Sequence, residues 1–319
     1  MQVAQNKRTS KLNKNYQIWY FFIIPMVFAL ILLIIGAFSD WQISKFIAGT
    51  DPKKTFGSYF SFIPGVLFSL LVGFVSLNII FFWPFQIKNM KLKVLFYLVI
   101  FSILMPVMWY VFNDAFVKEI MDSFSIKNTY TSKEWNILWS LLTALGFVSL
   151  YIFSYYFWFR KIGFNRKYIW CYSLYALISL IIVAYLITLL KNHLPRERFY
   201  SIMAFHDGDQ SYFRNWYSLI WNHSDGTGSR YTSFPSGHTT WAVALIIVIP
   251  FTFLNIKQKV WKWSVISFVY TILLITMFSR IQTGSHYLSD VSMSLFIGSF
   301  GYCGFYHLFN QILIRFKLS

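Results

Sequence analysis

Three short blocks in the C-terminal half of the chain contain most of the residue types that are needed to hold and cleave a phosphate ester. They are Lys191-x6-Arg198, Pro235-Ser236-Gly237-His238 and Ser279-Arg280-x5-His286-x3-Asp290. Cationic side chains bind phosphate oxygens, glycine lets backbone N–H groups approach an anion closely, and histidine serves as nucleophile or general acid–base. Each block adjoins a long apolar run. The predicted chemistry is therefore phosphate ester cleavage at a membrane surface.

The order and spacing of the blocks resemble the three signature motifs of the phosphatidic acid phosphatase type 2 (PAP2) superfamily. This superfamily comprises membrane lipid phosphatases and, as remote relatives, soluble acid phosphatases and vanadium haloperoxidases. The resemblance extends from about residue 165 to residue 315. One position departs from the pattern, because Phe199 follows Arg198 where the family usually has proline; this change concerns the loop turn and not phosphate contact. The resemblance implies a helical core, a phosphohistidine intermediate, and catalysis without a metal ion or cofactor.

Lys191, Arg198 and Arg280 are the cations that we expect to hold the phosphate. A phosphate brings nearly two negative charges next to a low-dielectric layer, where unpaired charge is penalised. Lys191 and Arg198 lie seven positions apart, so they share a helical face if the preceding apolar helix continues that far. Arg280 adds a planar guanidinium suited to bidentate contact. The alternative for each is an interfacial side chain that reaches the headgroups, which the combination with the other two blocks disfavours.

The second block directly precedes an apolar run and is typical of a helix start, where free N–H groups and the helix dipole bind anions. We therefore expect Ser236 and Gly237 to cradle the phosphate through backbone N–H groups and one hydroxyl. Taken alone, a Pro-Ser-Gly turn followed by an N-cap is the commoner interpretation. The neighbouring motifs favour the phosphate site.

His286 and Asp290 are four residues apart, which on a helix places the carboxylate within hydrogen-bond reach of the imidazole. Asp290 would then fix the ring tautomer, so that the other ring nitrogen attacks phosphorus. His238 would protonate the leaving lipid oxygen and later deprotonate the attacking water. No carboxylate cluster of the metal-ligand type accompanies these residues, so no metal is expected.

The composition favours a polytopic membrane protein, because 57% of the residues are hydrophobic and only 12% are charged. About 20 apolar residues span a bilayer. Eight runs approach or reach this length: 18–38, 61–84, 94–112, 136–158, 168–190, 239–255, 261–278 and 289–313. Pro250 interrupts the sixth run, so seven spans is the alternative. We predict an all-α, polytopic transmembrane helix bundle of about eight spans with a PAP2 helical core.

The net charge of +17 would suggest nucleic acid binding in a soluble protein, but the distribution of the charges follows the membrane. With the N-terminus inside, alternate segments hold 16 of the 28 basic residues and none of the 11 acidic residues. This partition satisfies the positive-inside rule. We therefore expect a multi-pass protein of the cell membrane, no nucleic acid partner, and all three blocks on the extracytoplasmic side.

We expect residues 1–160 to form four N-terminal spans, two of them additional to the family core, and residues 161–319 to carry the phosphatase motifs. The leading interpretation is a lipid phosphatase acting on undecaprenyl pyrophosphate, phosphatidylglycerophosphate or phosphatidic acid. One alternative is a phosphotransferase that passes phosphate to a lipid or sugar acceptor through the same residues. Another is a non-catalytic lipid transporter, which the intact histidines and Asp290 disfavour. The sequence makes no prediction about the oligomeric state.

Overall fold

The structure is a computed structural model, and it describes residues 2–49, 56–82, 89–111, 145–146, 149, 152, 166–218, 228–256 and 258–315. The described part consists of helices, loops and one isolated β-bridge between Arg196 and Thr232. The α-helices of the described part, in chain order, are α1 (Gln2–Ala48), α2 (Phe56–Phe60), α3 (Ile63–Phe81), α4 (Met90–Val111), α5 (Arg166–His193), α6 (Phe199–Phe205), α7 (Gly237–Ala244), α8 (Val248–Asn255), α9 (Lys259–Gln282) and α10 (Leu288–Arg315). The predicted all-α class is confirmed.

Four of the described helices are long and apolar enough to cross a membrane. They are Ile18–Ala48, Ile63–Ile80, Lys167–His193 and Lys259–Gln282. They coincide with four of the apolar runs, and the predicted polytopic membrane character is confirmed. The runs 94–112 and 289–313 correspond to α4 and α10, whereas most of the run 136–158 lies outside the described residues. The total of eight spans stays a prediction.

The sixth apolar run does not form one continuous α-helix. Helix α7 ends at Ala244, a 3-10 turn follows at Leu245–Ile247, and α8 begins at Val248. Pro250 has no N–H to donate, and its ring conflicts with the carbonyl of the residue four positions earlier. The backbone therefore passes through a tighter turn before the α-helix resumes.

The chain forms two compact units, and each is discontinuous in sequence. The first comprises Met1–Pro64 and Ile181–Gly304, and the second comprises Gly65–Leu180 and Phe305–Ser319. Every candidate site residue lies in the first unit. The division expected at residue 160 stays a prediction.

Glycines allow close helix packing in the first unit. A Cβ atom on Gly298 of α10 would lie 2.5 Å from Val243 Cγ1 of α7, and one on Gly301 would lie 2.7 Å from Val183 Cγ2 of α5. Small residues at helix interfaces are characteristic of membrane bundles, because they let backbones approach. The glycines thus bring the helix that carries Asp290 against the helices that follow the second block and precede the first.

Helix α1 packs against α8 and α9 in the same unit. The Tyr270 hydroxyl of α9 donates a hydrogen bond to the backbone oxygen of Phe21 at 2.7 Å. The Phe21 ring lies 5.7 Å from the ring of Phe253 in α8. Near the other end of α1, Trp41 is buried together with Phe199 and Tyr287. This aromatic cluster joins α1 to the loops that carry the first and third blocks.

The second unit is held by an aromatic cluster of its own. The ring of Phe309 stacks on Tyr175 with centroids 5.1 Å apart and meets Tyr172 edge-on at 5.6 Å. Aromatic pairs in such arrangements contribute beyond the area that they bury. Residues 166–180 and 305–315 are thereby packed together.

Candidate active site

The first block leaves its helix before it reaches Arg198. Helix α5 ends at His193, because Pro195 disfavours helical backbone at the preceding residue. Lys191 therefore lies in the last helical turn, whereas Arg198 lies on an extended segment. The shared helical face considered for these two cations does not form. They reach the same site from different local structures.

The extended segment of the first block pairs with the residues that precede the second block. Arg196 N donates to Tyr231 O at 2.8 Å, Ser233 N donates to Arg196 O at 3.1 Å, and Arg198 N donates to Arg230 O at 3.1 Å. A salt bridge of 2.6 Å between Arg230 Nε and Glu197 Oε1 lies beside this pairing. Backbone pairing therefore fixes where Arg198 emerges.

The guanidinium of Arg198 has a donor available for an anion. Its Nη2 donates to Thr232 Oγ1 at a long 3.4 Å. Its Nε is buried and has no hydrogen-bond partner among the described residues. Leaving such a donor unpaired is costly, and a phosphate oxygen would relieve that cost.

The second block forms the start of helix α7, and Ser236 takes the N-cap role that was the alternative to phosphate contact. Ser236 is the N-cap, and its Oγ accepts from Thr239 N at 3.4 Å. Its own backbone N–H donates to Asp290 O at 3.2 Å, which ties the second block to the third. The N–H of Ser236 is thus engaged within the protein, and the first turn from Gly237 onward supplies the N–H groups without helical acceptors.

Lys191 lies beside this helix start. A Cβ atom on Gly237 would be 3.6 Å from Lys191 Nζ, so glycine leaves the space through which the ammonium approaches the backbone. His238 follows in the same turn, and its half-buried ring lies 4.9 Å from the ring of Trp241. A cation, a helix N-terminus and a histidine are therefore gathered at one point.

The third block spans the turn between α9 and α10. Arg280 lies in the last turn of α9 and is buried. Gly284 adopts a positive φ of 63°, which favours glycine, and His286 N then donates to Arg280 O at 3.2 Å. His286 is therefore a loop residue, whereas Asp290 belongs to the first turn of α10. The helical i, i+4 arrangement expected for this pair does not form.

The His286 ring is oriented mainly by a backbone carbonyl. Its Nδ1 lies 2.6 Å from Ser233 O and 3.7 Å from Asp290 Oδ2. A carbonyl only accepts hydrogen bonds, so Nδ1 carries the proton and donates it to Ser233 O, and Nε2 is left unprotonated. The distance to Asp290 exceeds that of a hydrogen bond, so the direct Asp290 contact expected from the spacing is replaced by one through Ser233.

Asp290 is buried and fully hydrogen-bonded. Oδ2 accepts from Ser233 Oγ at 2.5 Å and from Tyr287 N at 2.9 Å, while Oδ1 pairs with Arg196 Nη1 at 2.5 Å. Ser233 thus contacts both members of the predicted pair, the imidazole through its carbonyl and the carboxylate through its hydroxyl. Asp290 acts on the ring through a shared neighbour and through its charge.

The charges around His286 keep its ring neutral. Burial lowers the His286 pKa well below its ordinary value, and Lys191, Arg280 and Arg198 lower it further, while Asp290 acts in the opposite direction. All three predicted phosphate-binding cations are therefore close enough to act on this ring. A neutral imidazole with a free Nε2 is the form in which histidine is a nucleophile.

Sequence reasoning missed three residues that shape the site: Asp40, Arg196 and Ser233. Arg196 lies inside the first block, and Ser233 lies just before the second, so their positions in the chain were a signal. Asp40 follows the first apolar run of the sequence but lies within the helix that can cross a membrane, and an acidic residue inside such a helix is a functional candidate on physical grounds alone.

Comparison with known proteins agrees with this geometry. Residues 172–313 match the model of the PAP2 superfamily. No curated protein and no solved structure matches the chain significantly. The matched region contains all three blocks and every predicted site residue from Lys191 to Asp290. Residues 172–313 of this chain are thus similar to the PAP2 superfamily.

Proposed function

We propose that this protein hydrolyses the phosphate or pyrophosphate group of a membrane lipid through a phosphohistidine on His286. The observation that carries the proposal is the state of the His286 ring, whose Nδ1 is held by Ser233 O at 2.6 Å while three cations act on it. This arrangement leaves Nε2 as the nucleophile in a place where an anion is attracted. The PAP2 match supports phosphatase chemistry in general.

The reaction takes place in two displacements. His286 Nε2 attacks phosphorus, the bond from phosphorus to the leaving oxygen breaks, and His238 protonates that oxygen. A water molecule then gives a proton to His238 and attacks phosphorus, the N–P bond breaks, and inorganic phosphate leaves with His286 restored. Lys191, Arg198, Arg280 and the first turn of α7 stabilise the equatorial oxygens in both transition states.

The substrate class follows from where the site residues lie. Lys191 and Arg280 are in the last turns of two helices that can cross a membrane, so the phosphate is bound at the level of lipid headgroups. Undecaprenyl pyrophosphate, phosphatidylglycerophosphate and phosphatidic acid are the candidates. We place the site on the extracytoplasmic side because the basic residues accumulate in the opposite segments.

Phosphate release from a panel of these three lipids, measured with the purified full-length protein in detergent, tests the proposal. We expect release of inorganic phosphate from at least one lipid and none from the His286→Ala variant. Phosphate transfer to an added lipid or sugar alcohol without release would favour the phosphotransferase alternative. Tight lipid binding by the wild-type protein without turnover would favour a transporter.

Metal dependence is tested in the same assay. Three side-chain cations act at the site, and the described residues contain no group of three or more His, Cys, Asp or Glu that could hold a metal ion. We therefore expect activity to survive excess chelator and to be inhibited by vanadate, which mimics a pentacoordinate phosphate. Loss of activity in chelator with recovery on adding magnesium would contradict a metal-independent mechanism.

A further inference from the structure

Helix α1 supplies a buried carboxylate to the candidate site, although it lies outside the region that matches the PAP2 model. Asp40, near the C-terminal end of α1, pairs with Arg196 Nη2 at 3.0 Å. It also accepts a hydrogen bond from Ser289 N at 2.9 Å and another from the Ser289 hydroxyl. Asp40 thus contacts the residue directly before Asp290.

Close approach of α1 makes these contacts feasible. A Cβ atom on Gly36, one helical turn before Asp40, would lie 2.8 Å from Asp40 Oδ1 and 3.0 Å from Ser289 Cβ. A side chain at position 36 would force the Asp40 carboxylate and the start of α10 to shift. The sequence of α1 is therefore adapted to the position of Asp40 against Ser289.

Arg196 is shared by two carboxylates. Nη2 pairs with Asp40, Nη1 pairs with Asp290 at 2.5 Å, and Nε donates to Arg214 O at 2.8 Å. Burial lowers the Arg196 pKa, but Asp290 and Asp40 more than offset this effect and hold the pKa above its ordinary value. The guanidinium also lies 4.1 Å from the centre of the Tyr287 ring. One buried guanidinium thus faces two buried carboxylates, and with both carboxylates ionised the group carries a net negative charge.

We propose that Asp40 is a positioning residue for phosphate transfer. Because Asp40 occupies one side of the Arg196 guanidinium, Arg196 does not fully neutralise Asp290, and a negative charge remains beside His286. The inference rests on the proposed function, because it concerns the charge on His286 during the reaction. Attack on phosphorus places positive charge on the ring, next to three cations. A group with a net negative charge stabilises that state, whereas a neutral Arg196–Asp290 pair would not.

The competing explanation is that Asp40 only anchors α1 to the loops. The two explanations predict different rates for a pair of variants. Asp40→Asn makes the group of Asp40, Arg196 and Asp290 neutral, whereas Asp40→Asn combined with Arg196→Gln gives that group a negative charge again. If Asp40 acts through charge, the double variant recovers part of the rate that the single variant loses. If Asp40 is only an anchor, the double variant has lost a second contact and is slower still.

The experiment measures the single-turnover rate of phosphoenzyme formation, the affinity for vanadate and the thermal midpoint of the full-length protein. For Asp40→Asn we expect a rate about 10- to 100-fold lower, the range known for hydrogen-bond partners of metal ligands. Vanadate affinity should fall in parallel, because vanadate mimics the pentacoordinate state that the charge stabilises. Ser44→Ala is the matched control: Ser44 lies one turn further along α1, it is buried, and its Oγ has no hydrogen-bond partner among the described residues. Its rate should equal that of the wild type.

An Asp40→Asn rate equal to that of the wild type, or a double variant slower than the single one, would overturn the inference. If Asp40→Asn does not accumulate, Ser289→Ala decides, because it removes the hydroxyl that bonds to Asp40 and Arg196 and leaves all the charges. A charge role predicts a rate near that of the wild type, and a rate lower by about 10-fold or more would contradict the inference. A wild-type protein that releases no phosphate from any lipid would instead contradict the proposed function. The coupling of Asp40 and Arg196 in thermal unfolding would still report the ion pair.

Discussion

His286 and His238 lie in different surroundings, and their substitutions should fail at different steps. His286 is buried and held through Nδ1 by Ser233 O, whereas His238 is half-buried on the first turn of α7. His286→Ala should abolish phosphoenzyme formation. His238→Ala should lose general acid–base help, a factor of about 10²–10⁴, and a substrate with a good leaving group should restore most of the first step.

Rapid-quench trapping with a labelled substrate distinguishes the two roles. An acid-labile phosphohistidine should accumulate in His238→Ala, because its hydrolysis also needs that residue, and should be absent from His286→Ala. A phosphohistidine that persists in the His286→Ala protein would rule out His286 as the nucleophile.

The pH dependence of the reaction should reflect the low pKa of His286. The reactive ring is neutral, so the rate falls as pH drops through the pKa of this group. Burial and the neighbouring cations lower that pKa well below 6.5. We therefore expect the acid limb of kcat/KM to lie below pH 6.5, after correction for the ionisation of the substrate, which is measured separately. An acid limb above pH 6.5 that disappears on mutating a different residue would contradict this assignment.

Sequence motifs predicted which side chains meet at the site better than they predicted how those side chains are held. Lys191 and Arg280 lie close enough to His286 to lower its pKa, and their phosphate contacts stay predictions. The spacing of His286 and Asp290 suggested a direct hydrogen bond, but the loop places Ser233 between them. A backbone carbonyl has no residue-specific signature, so its part in orienting the ring could not be inferred from the sequence.

The sequence predicted which segments form long helices, whereas the ends and breaks of these helices depend on particular residues. Length and hydrophobicity identified the runs that become α1, α3, α5 and α9. Pro195 ends α5 before Arg198, and Pro250 follows the 3-10 turn between α7 and α8. Pairing between Asp40 and Ser289 joins positions 249 apart in the chain, and no local pattern encodes such a contact.

The close packing of helix α10 against helix α7 can be tested by substituting a glycine at their contact. A Cβ atom at Gly298 would lie 2.5 Å from Val243 Cγ1, whereas one at Gly304 of the same helix would meet no described atom within 4 Å. Gly298→Ala should overpack the interface at a cost of about 1–3 kcal/mol, lower the thermal midpoint and reduce turnover, since α10 carries Asp290. Gly304→Ala should leave both unchanged.

A second substitution examines the cause of that effect. Val243→Ala introduced together with Gly298→Ala removes the clashing methyl groups and should recover part of the lost thermal midpoint. Equal losses for Gly298→Ala and Gly304→Ala would mean that the close approach of α10 and α7 is not what limits stability.

At the scale of the whole molecule, the distribution of charge and the position of the site predict one orientation in the membrane. The site residue Arg280 lies in the last turn of α9, and Lys259 is the first residue of that helix. Because α9 is long enough to cross a membrane, we expect these two residues to lie on opposite sides of it. The excess of basic residues in the segments on the Lys259 side predicts that this side is cytoplasmic.

Cysteine accessibility in intact cells tests this orientation. Ser211 is exposed in a 3-10 turn between the first and second blocks, and Lys259 is exposed at the start of α9. In a background where Cys171 and Cys303 are replaced by serine and alanine, Ser211→Cys should react with an impermeant thiol reagent. Lys259→Cys should react only after permeabilisation. Labelling of Lys259→Cys but not of Ser211→Cys in intact cells would reverse the topology and place phosphate cleavage on the cytoplasmic side.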